Sequence, residues 1–511
     1  MTQSTNLVGA PPQEPGTDLD TAFHDAGINF DRSSGDALSA GPEIGNTVMG
    51  RARSEWLGLA RDVVALSLPL MGTMAGNLLM MMVDRICLAR YSSATLAASG
   101  PAVFTAMTVI TFFTATANLS RSCVAQAHGR ADGLGAKREA ALGVIVALGL
   151  SVVLLATTPL LRMVPHLSGR PIEIRELESS FLELSTLFGA VMVINVSLSS
   201  YFNGIGRAKV TLYVSLAGQL IAAFFIYGLI FGRFGLPELG MQGSALGTLV
   251  GTSAMLALYT CLLPTRLLSG GLSHWVGEGW RRLRGQVMFR LRRGLASGLA
   301  AGLDVLGNTA FVWLAAVLGP IALAANNVNL TLNYLAIIPI IGMGIGCSVL
   351  CGNAIGKDEF DRVLPILRTT VLVEGVYVLL VSMVQVFAPV WLLKPFGLET
   401  NDPITMSTAI DTARVLWTYS ASFVFSMTGA AVLESFGMTR FILATRILLM
   451  WGMSIPLIYV VTHYGAGDST WLPRIWIIGS VFECAIGTLY FWRIRQATEQ
   501  RLNFLKPSTA T

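Results

Sequence analysis

Runs of about 20 predominantly apolar residues recur along the chain, each ended by a charged or Gly/Pro-containing break. Such a run, wound as a helix, crosses a hydrocarbon core of about 30 Å. Twelve runs are legible, near 62–90, 99–123, 139–161, 181–203, 210–232 and 243–263, then 294–319, 327–351, 366–391, 413–433, 441–462 and 474–492. They are continuously apolar, without the alternation of a ten-residue barrel strand, and backbone polar groups inside a bilayer must be satisfied locally. The pattern predicts an all-α polytopic membrane protein with twelve transmembrane helices.

The chain also matches itself. At a shift of 227 residues AQAHGRAD (Ala125 to Asp132) lies on GNAIGKDE (Gly352 to Glu359), so that Gly129 meets Gly356, and Leu96 to Ala98 meets the same LAA at Leu323 to Ala325. At a shift of 231 NGIGRAK (Asn203 to Lys209) lies on ESFGMTR (Glu434 to Arg440), pairing Gly206 with Gly437. Two six-span halves of like orientation follow, related by a pseudo-twofold axis along the membrane normal. The expected organisation is a disordered cytoplasmic tail over 1–55, bundles over 56–263 and 294–495, a basic cytoplasmic linker over 264–293 and a tail over 496–511. Within the linker WRRLRGQVMFRLRR reads as an amphipathic helix resting on lipid headgroups. Gly243, Gly247 and Gly251, and Gly294, Gly298 and Gly302, recur every fourth residue as in close helix contacts. Gly342, Gly344 and Gly346 resemble a phosphate loop only superficially, since no strand precedes them.

Composition removes other classes. Of 511 residues 53% are apolar and 13% charged, where soluble domains carry about 25% charge, so an ordinary soluble enzyme is excluded. Net charge is +5, and 24 of the 35 basic residues, Arg440 and Arg446 among them, fall on the side of both termini. The positive-inside rule places that side in the cytoplasm, with anionic lipids rather than nucleic acid as the partner. A bacterial inner membrane is the expected location. Cys87, Cys123, Cys261, Cys347, Cys351 and Cys484 have no metal-ligand spacing and read as apolar fillers, and the five histidines are isolated. No cofactor or metal is expected. The first 50 residues lack the apolar core of a signal peptide.

Polar residues within the spans are the candidate chemistry, because an acid at mid-span costs about 2.5–3.5 kcal/mol and is kept where it meets a cavity or partner. Asn77 and Asp84 share one helix face below Pro69, although Asp84 could merely pair with Arg85 or Arg90. Asp304, Asn308 and Phe311 align at helical spacing in the seventh span, with Asp304 opposite Asn77 in the repeat; a packing role is the alternative. An acid withdrawn from water either takes a proton or is compensated by a cation. Asn326, Asn327, Asn329 and Asn333 crowd the eighth span, as the wall of a wet substrate cavity or as helix-to-helix amide bonds. Arg121, Glu183, Glu374, Glu434 and Glu483 are the other charges placed within spans, Arg121 and Glu434 near the cytoplasmic ends as gate or packing residues.

Pro69 with Asp84 fifteen residues on, VDRICLARYSSATLAASGP (Val83 to Pro101), the AQAHGRAD loop, NGIGRAK and IPIIGMGIGCSVLCGNAIGKDE (Ile338 to Glu359) together resemble the multidrug and toxic compound extrusion family, over residues 60 to 495. The resemblance implies a V of two six-helix bundles around a central cavity and export of organic, often cationic, compounds driven by inward H⁺ or Na⁺. It implies coupling roles for Asp84 and for Asp304, the latter commonly a glutamate in the family. Ala222 and Ile226 stand where the family often has an asparagine and an aspartate, and Phe423 replaces the tenth-span acid of some members.

The reading is therefore a monomeric antiporter, not an enzyme, with Asp84, Asp304 and Asn77 for the ion and the asparagines for the substrate. A lipid-linked saccharide flippase of the same superfamily would need a cationic cavity, and few basic residues beyond Arg121 lie within the spans. An intramembrane enzyme would need converging nucleophile, base or metal ligands, and no such motif is present.

Overall fold

The computed structural model describes residues 43–167, 172–263, 279–394 and 403–505. Two compact units divide at Glu55. In the first, residues 43–55 are helical rather than structureless, since no proline follows Pro42 before Pro69; the remainder of the expected tail lies outside the described residues, as do residues 506–511. Among the described residues of the second unit, Trp56–Thr511, twelve helices are long and apolar enough to cross a membrane. We number them α1 (Leu57–Leu88), α2 (Ala98–Gly129), α3 (Gly133–His166), α4 (Ile174–Gly204), α5 (Ala208–Phe231), α6 (Met241–Leu262), α7 (Arg281–Val317), α8 (Pro320–Gly356), α9 (Phe360–Phe387), α10 (Pro403–Ser435), α11 (Thr439–Tyr464) and α12 (Ser469–Leu502). The protein is thus an all-α, multi-pass membrane protein.

Residues 264–278 of the expected linker lie outside the described residues. The WRRLRGQVMFRLRR segment is not a separate surface helix: one helix runs unbroken from Trp280 to Val317. Gly285 and Gly294 lower helix propensity there without removing a hydrogen bond, so the helix continues.

Each half has its own apolar core. Leu88, Ala98, Leu182, Ile226 and Met241 gather in the first and Leu318, Ala322, Leu416, Leu472 and Ile475 in the second. Large apolar side chains also point outward, Leu220 and Trp313 being 73% and 72% exposed. In water such a surface would aggregate; in lipid it is already solvated.

The repeat read from sequence is repeated in backbone detail. Ala131 and Asp358, 227 residues apart, both take positive φ, 57° and 61°, in the short α2–α3 and α8–α9 turns. Gly206 and Gly437 adopt φ of 76° and 73° in the turns before α5 and α11. The halves meet through reciprocal contacts of the same repeat units. A β-carbon added at Gly129 would fall 2.9 Å from Cα of Asn353, and one at Gly356 2.9 Å from Cα of Gln126; Asn353 and Gln126 are themselves repeat equivalents. Above them α8 lies on α1, where a β-carbon at Gly342 would come 2.9 Å from the Met71 nitrogen, and α7 lies on α2, where a β-carbon at Gly294 would come 2.6 Å from the Thr116 carbonyl oxygen. Only glycine allows backbones this close. Gln126 donates to the Ser435 carbonyl across the same seam (2.6 Å), and Arg290 of α7 is ion-paired with Glu139 of α3. These contacts gather at one end of the spans, where α2 and α8 finish and α1 and α7 begin.

Substituting leucine at Gly129 or Gly356 should therefore lower stability by about 1–3 kcal/mol, the usual range for overpacking. Thermal unfolding of the purified protein in detergent checks this, and Gly149→Ala, at a position with open space beyond it, should leave the midpoint unchanged.

Candidate coupling site

In the first half the polar residues of α1 find partners on α5 and α6. The Gln219 amide of α5 is hydrogen-bonded to the exposed Asn77 (2.6 Å) and to Ser215 (3.0 Å). Asp84, half-buried about two turns further on, accepts a hydrogen bond from Ser244 of α6 at 2.5 Å; this partner is neither Arg85 nor Arg90. Ala222 and Ile226 are buried in a seam of α5 against α6, where β-carbons on Gly251 and Gly247 would lie 3.0 Å from Cα of Ala222 and 2.8 Å from Cα of Ile226. Backbones in contact leave no room there for longer polar side chains.

In the second half Asp304 faces the bundle interior. Its Oδ1 lies 3.4 Å from Nε of Arg446 on α11, and Nη1 of the same guanidinium donates to Glu483 of α12 at 2.7 Å. Arg446 and Glu483 side chains are 6% and 10% exposed, whereas Asp304 retains 37%. Tyr419 of α10 and Tyr490 of α12 complete its electrostatic surroundings. Polar groups of α10, α11 and α12 thus approach this residue of α7, part of whose side chain stays uncovered. Two carboxylates share one guanidinium, leaving one negative charge unbalanced when both acids are ionised.

The sequence reading placed Arg446 at a loop, among the cytoplasmic basic residues; the structure corrects this, since it is a buried member of the site. The signal was available, because Arg446 is the sixth residue of the mostly apolar FILATRILLMWGM stretch that begins after Arg440. From Arg446 to Ser454 the helix widens to π geometry. Pro456 cannot donate to the carbonyl four residues earlier and crowds it, which forces such a shift of register. Wide turns of this kind are frequent at functional sites. Trp451, within that turn, donates to the carbonyl of Leu303, the neighbour of Asp304 (3.2 Å).

The asparagines divide. Asn326, Asn329 and Asn333 are 0%, 0% and 4% exposed. Asn326 accepts from Trp476 of α12 (3.1 Å), and Asn329 donates to the Ala409 carbonyl of α10 (3.2 Å). These two join helices, while Asn308 and Asn327 are exposed. An aromatic cluster that sequence reasoning missed stands beside Asp304: Trp476 meets Phe311 edge-on at 5.0 Å and Tyr419 at 5.5 Å, and Tyr419 stacks on Phe423 at 6.0 Å. Periodicity alone could not find it, because its members come from three helices. Elsewhere Arg121 and Glu434 pair across the seam at 3.7 Å, with Ser297 of α7 donating to Glu434 (2.6 Å), and the buried Glu374 accepts from Thr428 (2.7 Å). Glu183, by contrast, pairs with Arg162 at an exposed position (3.2 Å).

Two six-span repeats joined at one end, with carboxyl groups held inside each half, define a membrane transporter. The MatE family profile matches residues 69–227 and 297–460, once in each half, and the chain belongs to that family. The probable multidrug resistance protein NorM of Thermotoga maritima is 22% identical over 416 residues, covering 80% of this chain and 86% of that one. Among solved structures, a mutant of the Vibrio cholerae MATE transporter VcmN superposes with a TM-score of 0.76 at 16% identity, covering 88% of this chain and 98% of that one. A MOP-superfamily transporter from Pyrococcus furiosus gives 0.74 at 19%, covering 87% and 96%.

Removing Arg446 leaves two acids facing one another without their cation, and breaking such a buried pair costs about 3–5 kcal/mol. Arg446→Met should show that loss in thermal unfolding in detergent, and adding Asp304→Asn and Glu483→Gln should recover most of it.

Proposed function

We propose that this protein is a secondary active exporter that exchanges organic, often cationic, compounds for H⁺ or Na⁺ by alternating access. The observation that carries the reading is the Asp304–Arg446–Glu483 arrangement, whose single unbalanced negative charge suits one proton or one small cation. Such a ligand shifts a two-state equilibrium only by its difference in affinity for the two states. Asp304 supplies that difference if its uncovered face is open in one state and closed in the other. Asp84 with Ser244, and Asn77 with Gln219, form a second polar station in the other half. Phe311, Tyr419 and Phe423 offer ring faces next to a carboxylate, a setting that attracts an organic cation by about 0.5–2 kcal/mol per ring. Asn308 and Asn327 are the exposed amides available to the same substrate.

In this reading the basic end of the spans, which carries the seam, lies in the cytoplasm of a bacterial inner membrane with both termini. The structure is then in a state closed to the cytoplasm. Each half contributes its own station, so a monomer suffices. The NorM name of the relatives, multidrug resistance, agrees with this activity. The flippase alternative asks for an uncompensated cationic cavity, and among the described residues the buried arginines of the spans, Arg121, Arg290 and Arg446, all face carboxylates. An enzymatic role has no converging catalytic group to support it among the described residues.

Dye efflux from proteoliposomes, run separately with imposed H⁺ and Na⁺ gradients, tests the proposal. Asp304→Asn should lower gradient-driven efflux by tenfold or more, about 1.4 kcal/mol of coupling, and Asp84→Asn should lower it less. Undiminished efflux in both variants would remove the mechanism.

A further inference from the structure

At the basic end of the second half, α7, the α10–α11 turn and α12 enclose a cavity of about 690 Å³. Four arginines line it: Arg292 and Arg293 from α7, Arg440 from the start of α11, and Arg493 from α12. No carboxylate pairs with any of them among the described residues. By contrast, Arg121, Arg290, Arg362, Arg414, Arg446 and Arg495 each face an acid.

The cavity is built rather than incidental. Thr439 donates to the Arg293 carbonyl (2.8 Å), fastening the first residue of α11 to α7. Gly437, at φ 73°, brings the turn so near that a β-carbon there would lie 2.9 Å from Nη1 of Arg293. The Arg293 guanidinium lies 4.2 Å over the Phe289 ring, and Arg493 donates to Gln496. Arg292 and Arg440 are exposed, with charge to spare. Phe289 and Trp492, 52% and 57% exposed, stand on the rim.

Four guanidinium groups without counter-charge repel one another, and a phosphate ester would relieve that repulsion by accepting several of their N–H groups at once. Exposed aromatic rings next to the basic cluster are the composition of a membrane–water interface. A soluble anion would have no use for them, whereas the glycerol and upper acyl carbons of a lipid would cover them. We propose that this cavity seats the headgroup of an anionic phospholipid, its phosphate among Arg292, Arg293, Arg440 and Arg493 and its glycerol region against Phe289 and Trp492. The cytoplasmic leaflet, where anionic lipids concentrate, is the side assigned to this end above. Because Thr439 and Arg440 begin α11, the bound lipid holds the helix that carries Arg446.

The test measures binding to the full-length protein in neutral detergent, so it does not depend on transport or on orientation. Phosphatidylglycerol, phosphatidylcholine and inorganic phosphate are titrated in turn, following the melting midpoint and the lipid retained in native mass spectrometry. Phosphatidylglycerol should be retained and raise the midpoint, and phosphatidylcholine should do neither. The double variant Arg292→Gln with Arg440→Gln should weaken phosphatidylglycerol binding by about thirtyfold, as expected for two interfacial arginines. The pair Arg281→Gln with Arg284→Gln, on the same helix outside the cavity, should leave it unchanged. Should the double variant not fold, Arg440→Gln alone is expected to weaken binding by about fivefold. Equal loss in both double variants, no loss at Arg440, or equal stabilisation by inorganic phosphate would each overturn the assignment.

Discussion

Two membrane-embedded halves can be held together only by contacts that lipid does not already provide, and here that contact is backbone against backbone at paired glycines. Apolar side chains gain little by leaving lipid for one another, so dispersion at close range decides the interface. Gly129 against Asn353 and Gly356 against Gln126 are one contact made twice, once from each side of the pseudo-twofold axis. An isologous seam of this kind is self-complementary. Its confinement to one end, with α1 on α8 and α2 on α7 continuing it, leaves the opposite portions of the halves less constrained. The carboxyl groups of interest lie beyond the seam, toward that less constrained portion.

The chemistry of the second half rests on a different constraint, the cost of isolated charge away from water. Arg446 could not be buried alone, and neither could Glu483. Brought together with Asp304, each compensates another, and the arithmetic of two acids to one base leaves a place for a single monovalent positive charge. The widened turn of α11 gives Arg446 its position, and Pro456 gives the turn its cause. Trp451 then ties that turn to the backbone next to Asp304. Position, charge and helix register are thus coupled through a few residues.

The long apolar runs made the twelve spans legible, because span length is set by bilayer thickness and needs no tertiary information. The repeat was legible too, since glycines at positive φ or at close approach admit few substitutes; Gly206 with Gly437 and Gly129 with Gly356 are such positions. The beginning of α7 was not, because charge pattern distinguishes a surface from an interior but not one helix from two. Asp84, Asp304 and Asn77 stood out as polar residues in apolar surroundings, and their roles remain the functional reading rather than a property of the pattern. Arg446 was hidden by its proximity to Arg440, which let it pass as a loop charge. Ser244, Gln219, Tyr419 and Trp476 were hidden for a deeper reason: each matters by what it touches on another helix, and contact between helices is not written in the periodicity of one.

The seam and the charged site are joined by a single rigid element. Helix α7 bears Gly294 and Gly298 against α2, Ser297 against Glu434, and Asp304 against Arg446. Seven residues separate Ser297 from Asp304, about two turns or 10 Å of rise, too short a distance for the helix to absorb a displacement by bending. Helix α11 returns the connection, from Thr439 on the Arg293 carbonyl to Arg446 on Asp304. A change of charge at Asp304 therefore alters the pull of Arg446 on the very helix that makes the seam. Interfaces of interlocked glycines do not yield gradually; they are either in register or apart. In the proposed exchange, one positive charge gained or lost at Asp304 acts on the helix that makes the seam, and a difference in its affinity for two states is what would convert ion binding into alternation between them.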